Sequence, residues 1–336
     1  MGGLVRHAYL IAAHDNPAAL VRLVEALRCE GARFFIHIDA AVALKPFTDA
    51  LGDKPDIHWV IDRVRVTWMG WSQVEATLRM LGAAHPDAFD RYTLLSGADY
   101  PIKSNDEIAR ILSRDETEYL TAWRLSDRPS WQHKVQYYYP IEQIPIRNYG
   151  KAKARRVFWA SFVRLRRFFP KRSMPASLEP WGGSSWWTLT HSCVSHILGV
   201  VRERPEVVRF YRTTHAPDEG FFHTLVMNSP FAERVHRRAE YERWRAETRP
   251  WERVDLPTEK ARMLPDEVFN LRYVDWSEEF THRREAPAIL DERDFEALRA
   301  SECFLARKFD PVRSAGLLDR IDSELRRSTP VLGAMQ

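Results

Sequence analysis

Two rhythms of apolar and polar positions share the first hundred residues. Residues 5–12 (VRHAYLIA) form a short, nearly continuous apolar run, which predicts a buried strand. Over 17–29 the apolar residues recur at helical spacing (LVRLVEAL), predicting an amphipathic helix. Residues 34–40 (FFIHIDA), 57–62 (IHWVID) and 92–96 (YTLLS) read as further strands, and 72–81 (SQVEATLRML) as a helix. Strands alternating with helices predict an α/β fold with a parallel, doubly wound sheet. Ligands bind such sheets beyond the carboxyl ends of the strands, where this chain carries Asp39, the 62–65 segment and Gly97-Ala98-Asp99. Later, 184–192 reads as a strand returning to the sheet, and 217–228, 290–301 and 316–327 as helices. The stretch 124–182 is polar, aromatic and proline-bearing, and outside 151–172 its pattern assigns it no element. No repeat or linker divides the chain. The expected organisation is one domain over 1–315, with an insertion at 124–182 and a C-terminal helix and tail at 316–336.

The composition of the 336 residues, 45% hydrophobic and 29% charged, is that of a soluble globular protein. No run of eighteen apolar residues offers a membrane span, and the N-terminus has no signal-peptide cleavage pattern. Cys29, Cys193 and Cys303 lie far apart without metal-ligand spacing, which points to a reducing, cytoplasmic setting. The net charge of +4 hides a local excess: nine Lys or Arg and no acid lie between Lys151 and Arg172, leaving the remainder at −5. That argues against a general nucleic-acid-binding protein. The same segment carries Val157, Phe158, Trp159, Phe162, Val163, Leu165, Phe168 and Phe169. It fits either a helix docked on an anionic inner leaflet or one with aromatics in the core and cations in water.

Three motifs carry candidate chemistry. In HAPDEGFFHTLV (215–226) an acidic pair follows a proline and precedes a helical run, where unpaired N–H groups favour a carboxylate. Asp218 and Glu219 therefore suit either a helix cap or a rigid, water-shielded general base. In LLSGADYPIKSNDEI (94–108) a buried strand ends in small residues and Asp99, and a helix opens after Ser104. Gly97 permits close backbone approach to a ligand, and Asp99 accepts hydrogen bonds from hydroxyls. In FLARKFD (304–310) aromatics bracket two adjacent cations, suited to a diphosphate. No GxGxxG or Walker pattern supports a dinucleotide or P-loop site.

Taken in order, IHID (36–39), WMGWSQVEATLRML (68–81), LLSGADYPIKSNDEI, GSSWWTLT (183–190), APDEGFFHTLVMNSP (216–230), LRYVDW (271–276) and FLARKFD resemble one family. It is glycosyltransferase family 14, the core-2/I-branching β-1,6-N-acetylglucosaminyltransferases and peptide O-xylosyltransferases. The resemblance spans residues 8–310. It implies a GT-A-like nucleotide-sugar-binding fold, with a mixed, mostly parallel sheet flanked by helices. It also implies inverting transfer of N-acetylglucosamine or xylose from a UDP-sugar to an acceptor hydroxyl of a glycan or glycoconjugate. The family's base lies in its P-D-E motif, which places that role on Glu219. No Asp-X-Asp triplet occurs in the chain, so no metal cofactor is expected. The resemblance gives the charge of the departing UDP to Lys308 and to Arg283 or Arg284, in place of a metal.

By the same resemblance His37, Ile38 and Asp39 hold the uridine, Arg63 and Arg65 contact the nucleotide, and Asp99 lies near the donor. Trp186, Trp187 and Trp276 are expected on the acceptor side, where aromatic faces stack on sugars. Asp218, left with a capping role, is counted among the substrate-binding residues. Animal members carry a membrane anchor and many cysteines. Their absence here suggests a bacterial relative in the cytoplasm, with peripheral contact to the inner membrane as one reading of 151–172. Its expected partners are a UDP-sugar and a glycan or lipid-linked acceptor, with no nucleic acid. Two other readings remain: a non-catalytic relative that binds glycans or nucleotide sugars, and a membrane-surface binding protein. Donor sugar, acceptor, linkage and oligomeric state are not legible in the residues.

Overall fold

A computed structural model describes residues 5–113, 116–142, 164–165, 168–252, 254, 258–259, 262–265, 267–276 and 287–327. Its first strand, β1 (His7–Ala13), runs between β2 (Ala32–Ile38) and β4 (Arg91–Ser96) and is parallel to both. Because both faces of a central parallel strand are covered, its sequence is apolar almost throughout. Tyr9, Ile11 and Ala13 enter one core layer, and Ala8 and Leu10 the other. The helix α1 (Pro17–Leu27) starts on a proline and buries Leu20, Leu23, Val24 and Leu27, the helical spacing visible in the sequence. The short strand β3 (Ile57–Trp59) pairs with β2 and ends the sheet on that side.

The sheet order reverses at β1 and β4, opening a crevice at their carboxyl ends. Beyond β4 the sheet becomes mixed. The strand β5 (Asp99–Pro101) leaves it at once, β6 (Tyr119–Leu120) forms the far edge, and β7 (Trp123–Arg124) pairs antiparallel with β8 (Trp181–Gly182). The strand β9 (Trp187–Thr190) runs antiparallel between β4 and β6. Finally β10 (Arg272–Val274) and β11 (Leu305–Arg307) join β5 in a three-stranded sheet. This mostly parallel α/β arrangement is the GT-A-like fold implied by the resemblance.

Several expected elements are corrected. Only Trp187–Thr190 of the strand expected over 184–192 is a strand, because Thr190 caps a new helix, His191–Glu203, through the Cys193 N–H. The helix expected over 217–228 splits into a 3-10 turn, Pro217–Glu219, and a helix, Phe221–Met227. That expected over 290–301 is a 3-10 turn, Glu292–Asp294, leading into Phe295–Ala300. The C-terminal helix, Ala315–Arg320, continues as a π turn and buries Leu317, Leu318 and Ile321 in the main core. Trp71, Trp123, Trp181 and Trp187 are all fully buried, so much of the tryptophan content serves packing. Residues 143–163 and 166–167, most of the basic segment, lie outside the described residues.

Candidate active site

The turn holding the acidic pair is built by tight backbone approach. Ala216, which precedes it, has a left-handed φ of 47°, and its N–H donates to the carbonyl of Met69, itself at φ 64°. Left-handed backbone at two non-glycine residues costs energy and persists where surroundings enforce it. On the other side the Gly183 N–H donates to the Glu219 carbonyl at 2.9 Å. A Cβ on Gly182 would lie 2.9 Å from that carbonyl oxygen, and one on Gly183 only 1.9 Å from the Thr121 carbonyl. Glycine at 182 lets β8 lie against the turn, and glycine at 183 lets the chain pass the Thr121 carbonyl.

The two acids meet different surroundings. The Asp218 carboxylate turns sideways, accepting from Ser185 Oγ at 2.7 Å and from Gln73 Nε2 at 3.3 Å. Burial, reinforced by the neighbouring Glu219 charge, raises it to about 6. Neither the turn nor the following helix has a side-chain cap, so the capping role expected for Asp218 is not observed. Ser185 and Gln73 lie within reach and take that carboxylate instead. Glu219 forms an ion pair with Lys134 Nζ, and its side chain stays 33% exposed. Lys134 lies in a short helical turn, His133–Gln136, with its ammonium 3.3 Å from the centre of the Trp131 ring. Behind the acids, His223 is fully buried with Nε2 2.8 Å from the Ser184 carbonyl. Burial lowers it to about 4, so it is neutral at pH 7.

A second group gathers at the strand ends. His37 Nε2 accepts the Val64 N–H at 2.9 Å, and Asp39 Oδ1 accepts from the N–H groups of Ala41 and Val66. Arg63 donates to the carbonyls of Asp39 and Val42, Ile38 is buried and Arg65 is exposed. Four of these five residues thus shape the strand end and the 62–66 loop, and Arg65 is the one of the five that is exposed. Asp99 is buried; Oδ2 accepts from Ser96 N and Oγ, and Oδ1 from Arg272 at 3.1 Å. The fully buried Arg272 also donates to the Leu94 carbonyl at 2.8 Å. Lys308 follows β11, half-buried; its carbonyl accepts from Leu290, and the next N–H, of Phe309, donates to Ala98 at 2.9 Å. This pairing brings the FLARKFD motif to the SGAD turn.

Two connections join the groups. The 62–70 segment is bonded to His37 and Asp39 at its start and to Ala216 at its end. Opposite it, Ser185 binds Asp218, and the adjacent half-buried Trp186 stacks under Arg307 at 4.3 Å and Arg272 at 5.2 Å. Trp276 is 58% exposed. Trp187 differs from expectation: it is 1% exposed and packs on Phe222 with ring centres 5.3 Å apart, leaving no face for a sugar. Arg283 and Arg284 lie outside the described residues. Among the described residues, no group of three or more His, Cys, Asp or Glu is placed to hold a metal ion.

Sequence reasoning missed Lys134, Arg272, Gln73 and Ser185. The last three sit inside quoted motifs without a role. Lys134 lies in the stretch with no predicted element, and no spacing signal links it to Glu219, 85 residues away.

The profile of the Core-2/I-Branching enzyme family matches residues 7–299. Xylosyltransferase 2 of Rattus norvegicus is 28% identical over 246 residues, covering 69% of this chain and 26% of its own length. Xylosyltransferase 2 of Bos taurus is 25% identical over 355 residues, covering 98% of this chain and 34% of its own. The beta-glucuronosyltransferase GlcAT14B of Arabidopsis thaliana is 23% identical over 343 residues, covering 95% and 66%. The chain thus spans roughly a quarter to a third of the length of these xylosyltransferases.

Proposed function

The chain belongs to the Core-2/I-Branching enzyme family, and from that premise we propose that it is an inverting, metal-independent glycosyltransferase using a UDP-sugar donor. One observation carries the reading: Glu219 sits in a rigid turn with one carboxylate oxygen held by Lys134 and its side chain partly open. A positioned carboxylate of this kind suits a general base. It takes the proton from an acceptor hydroxyl while that oxygen bonds to the anomeric carbon. The bond to the diphosphate breaks, and its electron pair leaves with UDP.

Lys308, beside Gly97-Ala98-Asp99, is the cation assigned to the departing diphosphate. The metal-free reading draws support from Asp99, whose two oxygens are already engaged by Ser96 and Arg272. Arg283 or Arg284 is proposed as the second cation, and His37, Ile38, Asp39, Arg63 and Arg65 as the wall for the nucleoside. Trp186 and Trp276 offer ring surface to an acceptor.

The deciding experiment is a turnover and binding screen across UDP-xylose, UDP-N-acetylglucosamine and UDP-glucuronic acid. The relatives' names put xylose first. Activity on at least one donor should persist in EDTA; an absolute Mn²⁺ requirement contradicts the metal-free reading. Lys308→Ala should weaken UDP binding about ten- to a hundredfold, the range for losing a charged hydrogen bond. Unchanged UDP affinity by calorimetry removes Lys308 from the diphosphate.

The acceptor is proposed to be a glycan or a lipid-linked glycan, met in the cytoplasm at the inner leaflet. Support comes from the acid-free basic segment, of which Leu165, Phe168 and Phe169 are described and exposed. Among the described residues no helix is long and apolar enough to cross a membrane. Co-sedimentation should therefore be seen with vesicles containing acidic phospholipid and not with neutral ones; equal binding to both removes the electrostatic contact.

A further inference from the structure

Lys134 stands where the sequence points to no function, yet its ammonium is among the most enclosed cations of the molecule. Its side chain is 12% exposed. It rests on the face of Trp131, whose ring also takes the Arg128 guanidinium at 3.9 Å. Its backbone carbonyl accepts the N–H of His215, so the turn bearing Lys134 is tied to the segment leading into Glu219. A buried ammonium requires a carboxylate partner. Asp218, next door, is turned to Ser185 and Gln73 through Oδ2, and neither of its oxygens bonds to the ammonium. The carboxylate that meets it is Glu219, through Oε2. Glu219 Oε1 has no hydrogen-bond partner among the described residues.

The carboxylate is therefore divided in use, one oxygen anchored and one offered. A glutamate with free rotamers spends little time in any one reactive geometry, whereas an anchored one is pre-organised. We propose that Lys134 is a positioning residue: its ammonium fixes Glu219 Oε2 so that Oε1 faces the acceptor hydroxyl. This rests on Glu219 being the base. In the transfer step the acceptor proton moves to Oε1, the new C–O bond forms, and the bond to UDP breaks. Lys134 keeps its proton throughout.

The charged and titratable groups facing Lys134 are Glu219 and Asp218 from their turn, Arg128 from beyond Trp131, and His223 from the helix behind. His223 is neutral at pH 7, so among these groups Arg128 is the one that opposes the ammonium. Burial lowers Lys134 below the usual lysine range even so, and the two carboxylates act against that.

The test uses the whole chain with UDP-xylose, water serving as the acceptor, together with thermal melting. Lys134→Met should lower kcat about a hundredfold, the scale of a misplaced reacting group, with UDP affinity unchanged. Lys134→Arg should recover most of that loss, since it restores the anchoring charge. In a Glu219→Gln background, Lys134→Met should have no further effect. Equal losses in both backgrounds, or an arginine variant no better than methionine, overturn the proposal. Melting supplies a readout free of activity. The two substitutions should lower the melting temperature by less together than the sum of their separate shifts, and additive shifts overturn the proposal. A wild-type protein that turns over no UDP-sugar defeats the donor reading instead, and the melting cycle still decides the coupling of Lys134 to Glu219.

Discussion

Glu219→Gln should remove sugar transfer while leaving UDP binding nearly unchanged. The substitution preserves shape, so the Ala216–Gly220 turn and its bonds to Met69 and Gly183 stay in place. What it removes is the ability to accept a proton at neutral pH, together with the negative charge that partners Lys134. A positioned general base contributes about a hundred- to ten-thousandfold to rate, and the expected loss lies at the upper end because Asp218 is turned to Ser185 and Gln73 and the buried His223 has Nε2 committed to Ser184. UDP affinity should hold within about twofold, because the residues proposed to carry the nucleotide lie at the strand ends and on Lys308 and do not bond to Glu219 directly. Product formation from the donor found in the screen, with calorimetry of UDP binding, separates the two effects. Residual transfer above about a tenth of wild type removes the base assignment; loss of UDP binding relocates Glu219 to the donor site.

Arg272→Met should cost about 3–5 kcal/mol of stability, the range for breaking one side of a buried ion pair. Arg272 is fully buried, donates to Asp99 and to the Leu94 carbonyl, and lies over Trp186. Burial pulls it down to about 10, against the opposing pull of Asp99. Truncation leaves the buried Asp99 carboxylate with Ser96 and with the charge of its cross-strand neighbour Arg307, but without its hydrogen-bonded guanidinium. At about 2–4 °C per kcal/mol for a large domain, the melting temperature should fall by roughly 10 °C. Arg272→Met combined with Asp99→Asn should melt higher than Arg272→Met alone, since the carboxylate that lost its hydrogen-bonded partner is then neutral. A single variant that melts within about 2 °C of wild type shows that Asp99 is not held by this pair. Because β10 carries Arg272 into the sheet that brings Lys308 to Ala98, the same variant should also weaken UDP binding.

The first half of the fold is legible because its signals are local. Leu20, Leu23, Val24 and Leu27 announce a helix by spacing alone, and Ser104 with Glu107 forms the capping box that opens a later one, Asn105–Leu112. The second half is harder, since short strands such as β8, β10 and β11 are defined by their partners across the chain. Trp187 illustrates the limit. Two adjacent tryptophans look alike in sequence, yet one packs on Phe222 in the core and its neighbour stacks under two arginines.

The residues alone determine the family and the parallel sheet with its crevice at the strand ends, and the resemblance they carry is what proposes Glu219 as the base. These follow from periodicity, from order of motifs and from residue chemistry, all of which are carried by near neighbours in the chain. Which oxygen of Glu219 is anchored, why Asp218 is diverted to Ser185 and Gln73, and how Asp99 is neutralised are decided only in three dimensions. Lys134 and Arg272 reach their partners across 85 and 173 residues. Such pairing depends on desolvation and on the exact approach of distant backbone, and no spacing along the chain encodes either.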